Sequence, residues 1–234
     1  MDLICKTVIF LLASLSLGID GEFARNFITI AGPLPSELAE RLGLQDQVLP
    51  KDQQGPGMAA AQCQPDLVAS ELPRYFSPLR ELGVTHYKVL LPWARLLPEG
   101  NATKADGAQV WCYRQLLEAL AAAGLRAVLV LHQGPVPGAV AAQASRRNGR
   151  AFYKLFVEYA EFSFHAFGDL VDAWLSFSDL PEVLQSLPYN DPQEQVQAVA
   201  AAHEGFYTTL HEMISPVGKE SRERGFSIWL INIS

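Results

Sequence analysis

The chain has 234 residues, 49% apolar, 18% charged and 10% aromatic, with a formal net charge of −7 and a pI near 5.2. The apolar share excludes an intrinsically disordered chain, and the acidic balance argues against nucleic acid and against a polybasic membrane-surface role. Three cysteines with no Cys-x-x-Cys pair exclude a zinc ribbon and a thioredoxin-type site.

The first element in chain order reads as an address. Val8 to Leu17 is apolar or small, follows Lys6, and leads into Gly18, Asp20 and Gly21. This predicts a secretory signal peptide over residues 1–18, cut near Gly18 to Asp20. A short N-terminal anchor is the alternative, and the shortness of the run counts against it. No other segment reaches the ~18 unbroken apolar residues that a membrane span needs. Cys5 leaves with the signal. Cys63 and Cys112 remain as an even pair in an oxidising compartment, which predicts a disulfide; two buried free thiols are the alternative. The sequons Asn101-Ala102-Thr103 and Asn232-Ile233-Ser234 are candidate glycosylation sites for the same compartment. The first follows Pro98-Glu99-Gly100, a turn signal, so it is expected to be exposed.

Residues 19–78 form an N-terminal segment. It holds a strand-like run at Asn26 to Ala31 and a Pro/Gly-rich loop over Gln45 to Gln64. From residue 79 to 234 strands and helices alternate. Val84 to Leu91 is a β-rich run ended by Pro92. Gln109 to Ala123 is a helix with Val110, Tyr113, Leu117 and Leu120 on one face, stopped by Gly124. Leu125 to His132 is a buried strand. Arg150 to Phe167 is an aromatic helix, with Phe152, Phe156, Tyr159 and Phe162 or Ser163 on successive turns. Leu170 to Ser178 is the next strand, Gln193 to Ile214 an Ala-rich helix, and Phe226 to Ile233 a last strand.

Nearly continuous apolar strands covered by helices predict an α/β fold with a parallel sheet, either doubly wound or part of a (β/α)8 barrel. The absence of G-x-G-x-x-G and G-x-x-x-x-G-K-[ST] weakens the nucleotide-binding version. In a barrel, the polar residues at strand C-terminal ends line the active face. Here those are Trp93 with Arg95, His132 with Gln133, and Ser178 with Asp179.

These strand ends carry a family resemblance. Tyr87-Lys88-Val89-Leu90-Leu91-Pro92-Trp93-Ala94-Arg95-Leu96-Leu97-Pro98-Glu99-Gly100 resembles the Y-R-F-S-I-S-W-S-R-I-x-P-x-G run of glycoside hydrolase family 1. Val130-Leu131-His132 sits where that family has L-F-H-W-D-L-P. Tyr159-Ala160-Glu161-Phe162 through Trp174-Leu175-Ser176-Phe177 is similar to Y-A-x-F-x-F-x-x-F-G-D-x-V-x-x-W-x-T-F-N-E-P. The similarity runs from about Leu79 to Ser234, in order and at the right spacing. With the secretory signal, Arg25-Asn26-Phe27-Ile28 and Ala31-Gly32-Pro33-Leu34 look most like a pro-region repeat that opens a family 1 protein built from tandem repeats.

The resemblance implies the N-terminal part, about five βα units, of a (β/α)8 barrel. It also implies retaining β-glycoside hydrolysis, in which one carboxyl group protonates the leaving oxygen and a second, about 5–5.5 Å away, attacks the anomeric carbon. The family's acid/base Glu falls on Asp179, shorter by about 1.5 Å. Its neighbouring Asn falls on Ser178, its strand Arg on Lys88, and the Trp after its sugar-binding His on Gln133. His132 matches. Trp93 and Arg95 match too, Trp93 also fitting a packing role. The nucleophile belongs to a later strand than this sequence reaches. Read this way, no catalytic site is intact, and Asp179, Ser178, His132 and Lys88 are degenerate family positions.

Each residue also has a plainer reading. Asp179 suits a carboxylate capping the loop after its strand, and His132 suits hydrogen-bonded structure. Glu182, behind Pro181, has no motif to support it as a substitute acid. His203-Glu204 and His211-Glu212 do not form H-E-x-x-H, so no metal and no cofactor is expected. Three functions stay open. The first is a non-catalytic repeat that aids folding or transport of catalytic repeats downstream in the same polypeptide. The second is an active β-glycosidase using Asp179. The third is a secreted module that binds β-glycosides. The substitutions favour the first. The partners expected are those downstream repeats, with no nucleic acid. A half-barrel exposes an open strand and apolar helix faces, so residues 19–234 alone are expected to fold poorly, dimerise or need the other half.

Overall fold

A computed structural model of the chain describes residues 30–44, 63–145 and 150–221. In chain order the elements are β1 (Ile30–Ala31), α1 (Ser36–Leu42), α2 (Pro65–Glu81), β2 (His86–Leu90), α3 (Trp93–Leu96) and α4 (Gly107–Ala122). They continue with β3 (Arg126–Gln133), α5 (Gly138–Ser145), α6 (Arg150–Phe167), β4 (Ala173–Ser178), α7 (Leu180–Ser186) and α8 (Pro192–Ser221). The four strands form one sheet in the order β1-β2-β3-β4, and every pairing is parallel. This is the α/β fold with a parallel sheet that the alternation of strands and helices predicts, in the sequential strand order of the part-barrel that the resemblance implies. The residues of the predicted signal peptide, most of the 45–64 loop and the 226–233 run lie outside the described residues.

Period-2 alternation sorts the strand residues. Tyr87, Val89, Ala127, Leu129, Leu131 and Trp174 join Leu117, Leu120, Phe156 and Phe164 in one core between sheet and helices. Lys88 alternates to the other face, in register with Val128, the side that faces inward in a barrel. Gly83 and Gly124 take φ of +86° and +73° just after α2 and α4. L-residues rarely adopt that conformation, which is why glycine stands at these two helix-to-strand turns.

Several boundaries differ from the sequence expectation, each for a physical reason. Helix α4 starts at Gly107 because Asp106 caps it, its Oδ1 accepting the Ala108 and Gln109 N–H groups at 3.0 and 3.2 Å. Strand β4 starts at Ala173, because Gly168–Leu170 winds into a 3-10 turn. Arg114 fastens that turn: its Nη1 donates to the Ala166 carbonyl at 2.6 Å, and its guanidinium grips the Asp169 carboxylate at 2.9 and 2.7 Å. Helix α2 covers a stretch to which the sequence reading assigns no element, and Pro73 and Pro78 lie inside it, where proline ordinarily breaks a helix. Both prolines are exposed. Val68, Leu72 and Phe76, four residues apart, are buried on the opposite face, and that apolar stripe holds the helix together. Helix α2 also runs across the 78/79 division drawn from the sequence, and β1 pairs with β2, so residues from both sides build one sheet and core.

Candidate functional site

The C-terminal ends of β2, β3 and β4 bring the family-matched residues together. Lys88 lies in the middle of β2, and Gln133 and Ser178 are register partners at the ends of β3 and β4. The half-buried Lys88 extends along the sheet to reach them. Its Nζ donates to the Ser178 hydroxyl at 3.1 Å and lies 3.5 Å from Gln133 Oε1. One ammonium therefore ties three strands together at the face where a barrel keeps its chemistry.

Asp179 follows directly and sits in the left-handed region, φ 59° and ψ 56°. Asp tolerates this region better than most residues, at a cost of roughly 1 kcal/mol. The side chain is exposed and makes no cap hydrogen bond. The turn into α7 is instead held by the Asp179 backbone carbonyl, which accepts the Glu182 and Val183 N–H groups at 3.2 and 3.3 Å. Capping here is thus a backbone function, which corrects the side-chain capping expected from sequence. Glu182 is exposed in the first turn of α7.

His132 is sealed in, with 4% of its surface exposed. Its ring stands edge-on to Trp93 at 5.5 Å and to Phe177 at 6.4 Å. Nε2 is buried with no partner among the described residues, while a backbone hydrogen bond links the ring to Gly134. Burial pushes its pKa down to about 4, against the smaller upward pull of that hydrogen bond. The ring is therefore neutral at pH 7. Trp93 stacks on Tyr159 with centroids 4.7 Å apart and planes 3° apart, and it leans on Phe152 and Phe156. Its Nε1 is likewise buried without a partner among the described residues. Arg95 is buried beside it on α3. His132 and Trp93 are thus packed into an aromatic layer.

The other candidates lie apart. Cys63 and Cys112 are joined as a disulfide with Cα atoms 6.2 Å apart, linking the approach to α2 with α4. Asn101 is exposed in its turn, and its Oδ1 accepts both the N–H and the hydroxyl of Thr103 at 2.9 Å. Asn232 lies outside the described residues. No three His, Cys, Asp or Glu side chains gather as a metal would need among the described residues.

One polar pair was not anticipated. The Ser176 hydroxyl lies 2.6 Å from His203 Nδ1, bridging β4 and α8. Burial lowers the His203 pKa. The signal was available in the alternation: Ser176 shares the helix-facing side of β4 with Trp174, and a polar group there needs a partner.

The comparisons with known proteins follow this geometry. The model of "Glycosyl hydrolase family 1" matches residues 72–221. The chain is 40% identical over 218 residues to human lactase/phlorizin hydrolase, an alignment covering 91% of this chain and 11% of that protein. It is 41% identical over 208 residues to the rat protein of the same name, covering 86% and 10%. The chain thus spans about a tenth of the length of these relatives. Among solved structures, an aphid myrosinase superimposes with a TM-score of 0.55 at 20% identity, over 63% of this chain and 34% of that one. At that identity the likeness concerns the fold alone.

Proposed function

This chain belongs to glycosyl hydrolase family 1, and on that premise we propose that it is a non-catalytic secretory-pathway segment of a lactase/phlorizin hydrolase-like protein. In the whole protein, other repeats hydrolyse O-glycosyl bonds. This segment, like a pro-region repeat, packs against them and aids their folding or transport. One observation carries the proposal: Lys88, Ser178 and Gln133 at the strand ends are turned toward one another, and His132 is walled in by aromatic rings. Lys88 binds Ser178 and faces Gln133, and His132 is buried under Trp93 and Phe177. The single family carboxylate position in reach holds the shorter Asp179. Small misplacements of a catalytic group already cost ~10²-fold.

The same proposal places the segment in the secretory pathway, extracellular or at the cell surface, and apical where an anchored precursor carries it. Asn101 is its exposed glycan acceptor and the disulfide its oxidative mark. No helix among the described residues is long and apolar enough to cross a membrane.

An aryl β-glucoside assay tests the first half. The chain and its Asp179→Ala variant should both stay at background, and hydrolysis that disappears with Asp179→Ala would make this an active glycosidase. Deleting the segment from the full-length precursor tests the second half. Secreted yield should fall several-fold while activity per secreted molecule is unchanged. Unchanged yield would remove the folding role.

A further inference from the structure

We propose that Trp93 and His132 hold one water molecule between them, in a buried site where the water accepts the Trp93 indole N–H and donates to His132 Nε2. Both side chains are sealed from solvent, Trp93 2% and His132 4% exposed, and neither atom has a partner among the described residues. The two rings are neighbours, nearly perpendicular, with centroids 5.5 Å apart. A buried polar atom without a partner is rare in a folded protein. Two of opposite kind on neighbouring rings point to one guest that serves both.

The surroundings fix the character of each atom. An indole Nε1 only donates. The His132 ring is linked to the Gly134 backbone, and that bond raises its affinity for a proton. A carbonyl accepting from a ring N–H has this effect. The N–H is on Nδ1, because Nε2 has no partner. The ring is neutral at pH 7, so Nε2 keeps its lone pair and accepts. Donor and acceptor are also held from meeting directly. Trp93 is clamped by its stack on Tyr159, with planes 3° apart, and by Phe152 and Phe156. His132 is fixed between Trp93 and Phe177 and by its bond to Gly134. Tyr159 spends its hydroxyl proton on the Leu131 carbonyl at 3.0 Å.

Chemistry selects the guest. A cation would meet the indole N–H and an anion the Nε2 lone pair, so each faces one wrong partner. An apolar guest would satisfy neither. A hydroxyl oxygen both accepts and donates, and water is the hydroxyl that fits behind walls this closed. Ordering a water costs less than leaving both groups dry. A sugar hydroxyl has the same two-handed chemistry, but it comes attached to a ring, and the 4% exposure of His132 leaves no path for one. The site rests on the packing alone and holds whether or not the segment is catalytic.

Two measurements on the full chain test this. A crystal structure that resolves ordered water should show one oxygen within hydrogen-bond distance of both Trp93 Nε1 and His132 Nε2. In solution, nuclear magnetic resonance should show a protonated Nδ1 and a bare Nε2 on His132. The Trp93 indole proton should give a nuclear Overhauser cross-peak at the water frequency, with the sign of a long-lived contact. That cross-peak should survive in Tyr159→Phe, which removes the exchanging hydroxyl nearby, and should be unchanged by methyl β-glucoside. Should Tyr159→Phe fail to fold, the crystal structure decides. A protein group or no oxygen between the two nitrogens, the opposite tautomer, or an indole proton with no water cross-peak would overturn the proposal. So would a cross-peak lost in a folded Tyr159→Phe, or one displaced by the glucoside, which would hand the position to a sugar hydroxyl.

Discussion

Because His132 is held neutral by burial, it makes the fold acid-labile in a defined window. Its folded pKa is about 4, against an ordinary 6.5. Protons therefore bind the unfolded chain more readily than the folded one between those values, and stability falls as pH drops from 6.5 toward 4. The loss at pH 5 comes to about 2 kcal/mol, and below pH 4 it levels off near 3 kcal/mol. His86 and His203 are also lowered by burial and add to the overall slope, so the His132 share must be isolated. Phe at position 132 keeps an aromatic ring against Trp93 and Phe177 and removes the titration. Loss of the hydrogen bond to Gly134 costs about 1 kcal/mol, but equally at every pH. Urea midpoints at pH 7.5 and pH 5 read the difference. The wild type should lose about 1 M more than His132→Phe between the two, taking a slope near 2 kcal/mol per M. A gap that does not change with pH would refute the claim that this imidazole is buried neutral.

Two further outcomes are expected. Gly205→Ala should lower Tm despite the better helix propensity of Ala, because a Cβ there would lie 2.5 Å from Tyr153 Cε2 and Val157 Cγ2 on α6. Overpacking of this kind costs about 1–3 kcal/mol, and a raised Tm would show that α6 and α8 are not in such close contact. Cys63→Ser should destabilise by roughly 2–4 kcal/mol, since the bridge closes a loop across 49 positions. A urea midpoint that does not move, or one equally sensitive to reductant in the variant, would show that the bridge does not constrain the chain.

The strands were legible because a buried parallel strand is a continuous apolar run closed by glycine or proline, as at Leu125 to His132. Helix α2 carries Pro73 and Pro78 in its interior, which weakens any helical reading of that stretch, and only the fold shows that both are exposed. Family matching drew Lys88, Gln133, Ser178 and Asp179 into one list, yet it did not show that the first three satisfy one another. That depends on the β3–β4 register and on the reach of a lysine along a strand. The burial of His132 was equally silent in the sequence. It comes from Trp93 and Phe177, each about 40 positions away in opposite directions, which close on the ring with Phe152 and Phe156 packed behind them.

The order of the sheet follows the order of synthesis. His86 pairs with Arg126, 40 residues later, and Val128 with Ala173, 45 later. At about 5–20 residues per second, a ribosome delivers β3 and β4 each roughly 2–9 seconds after its partner. Among the described strands, β2, β3 and β4 each find a neighbour already made. The chain can therefore condense unit by unit as it emerges, with the latest strand always the growing edge.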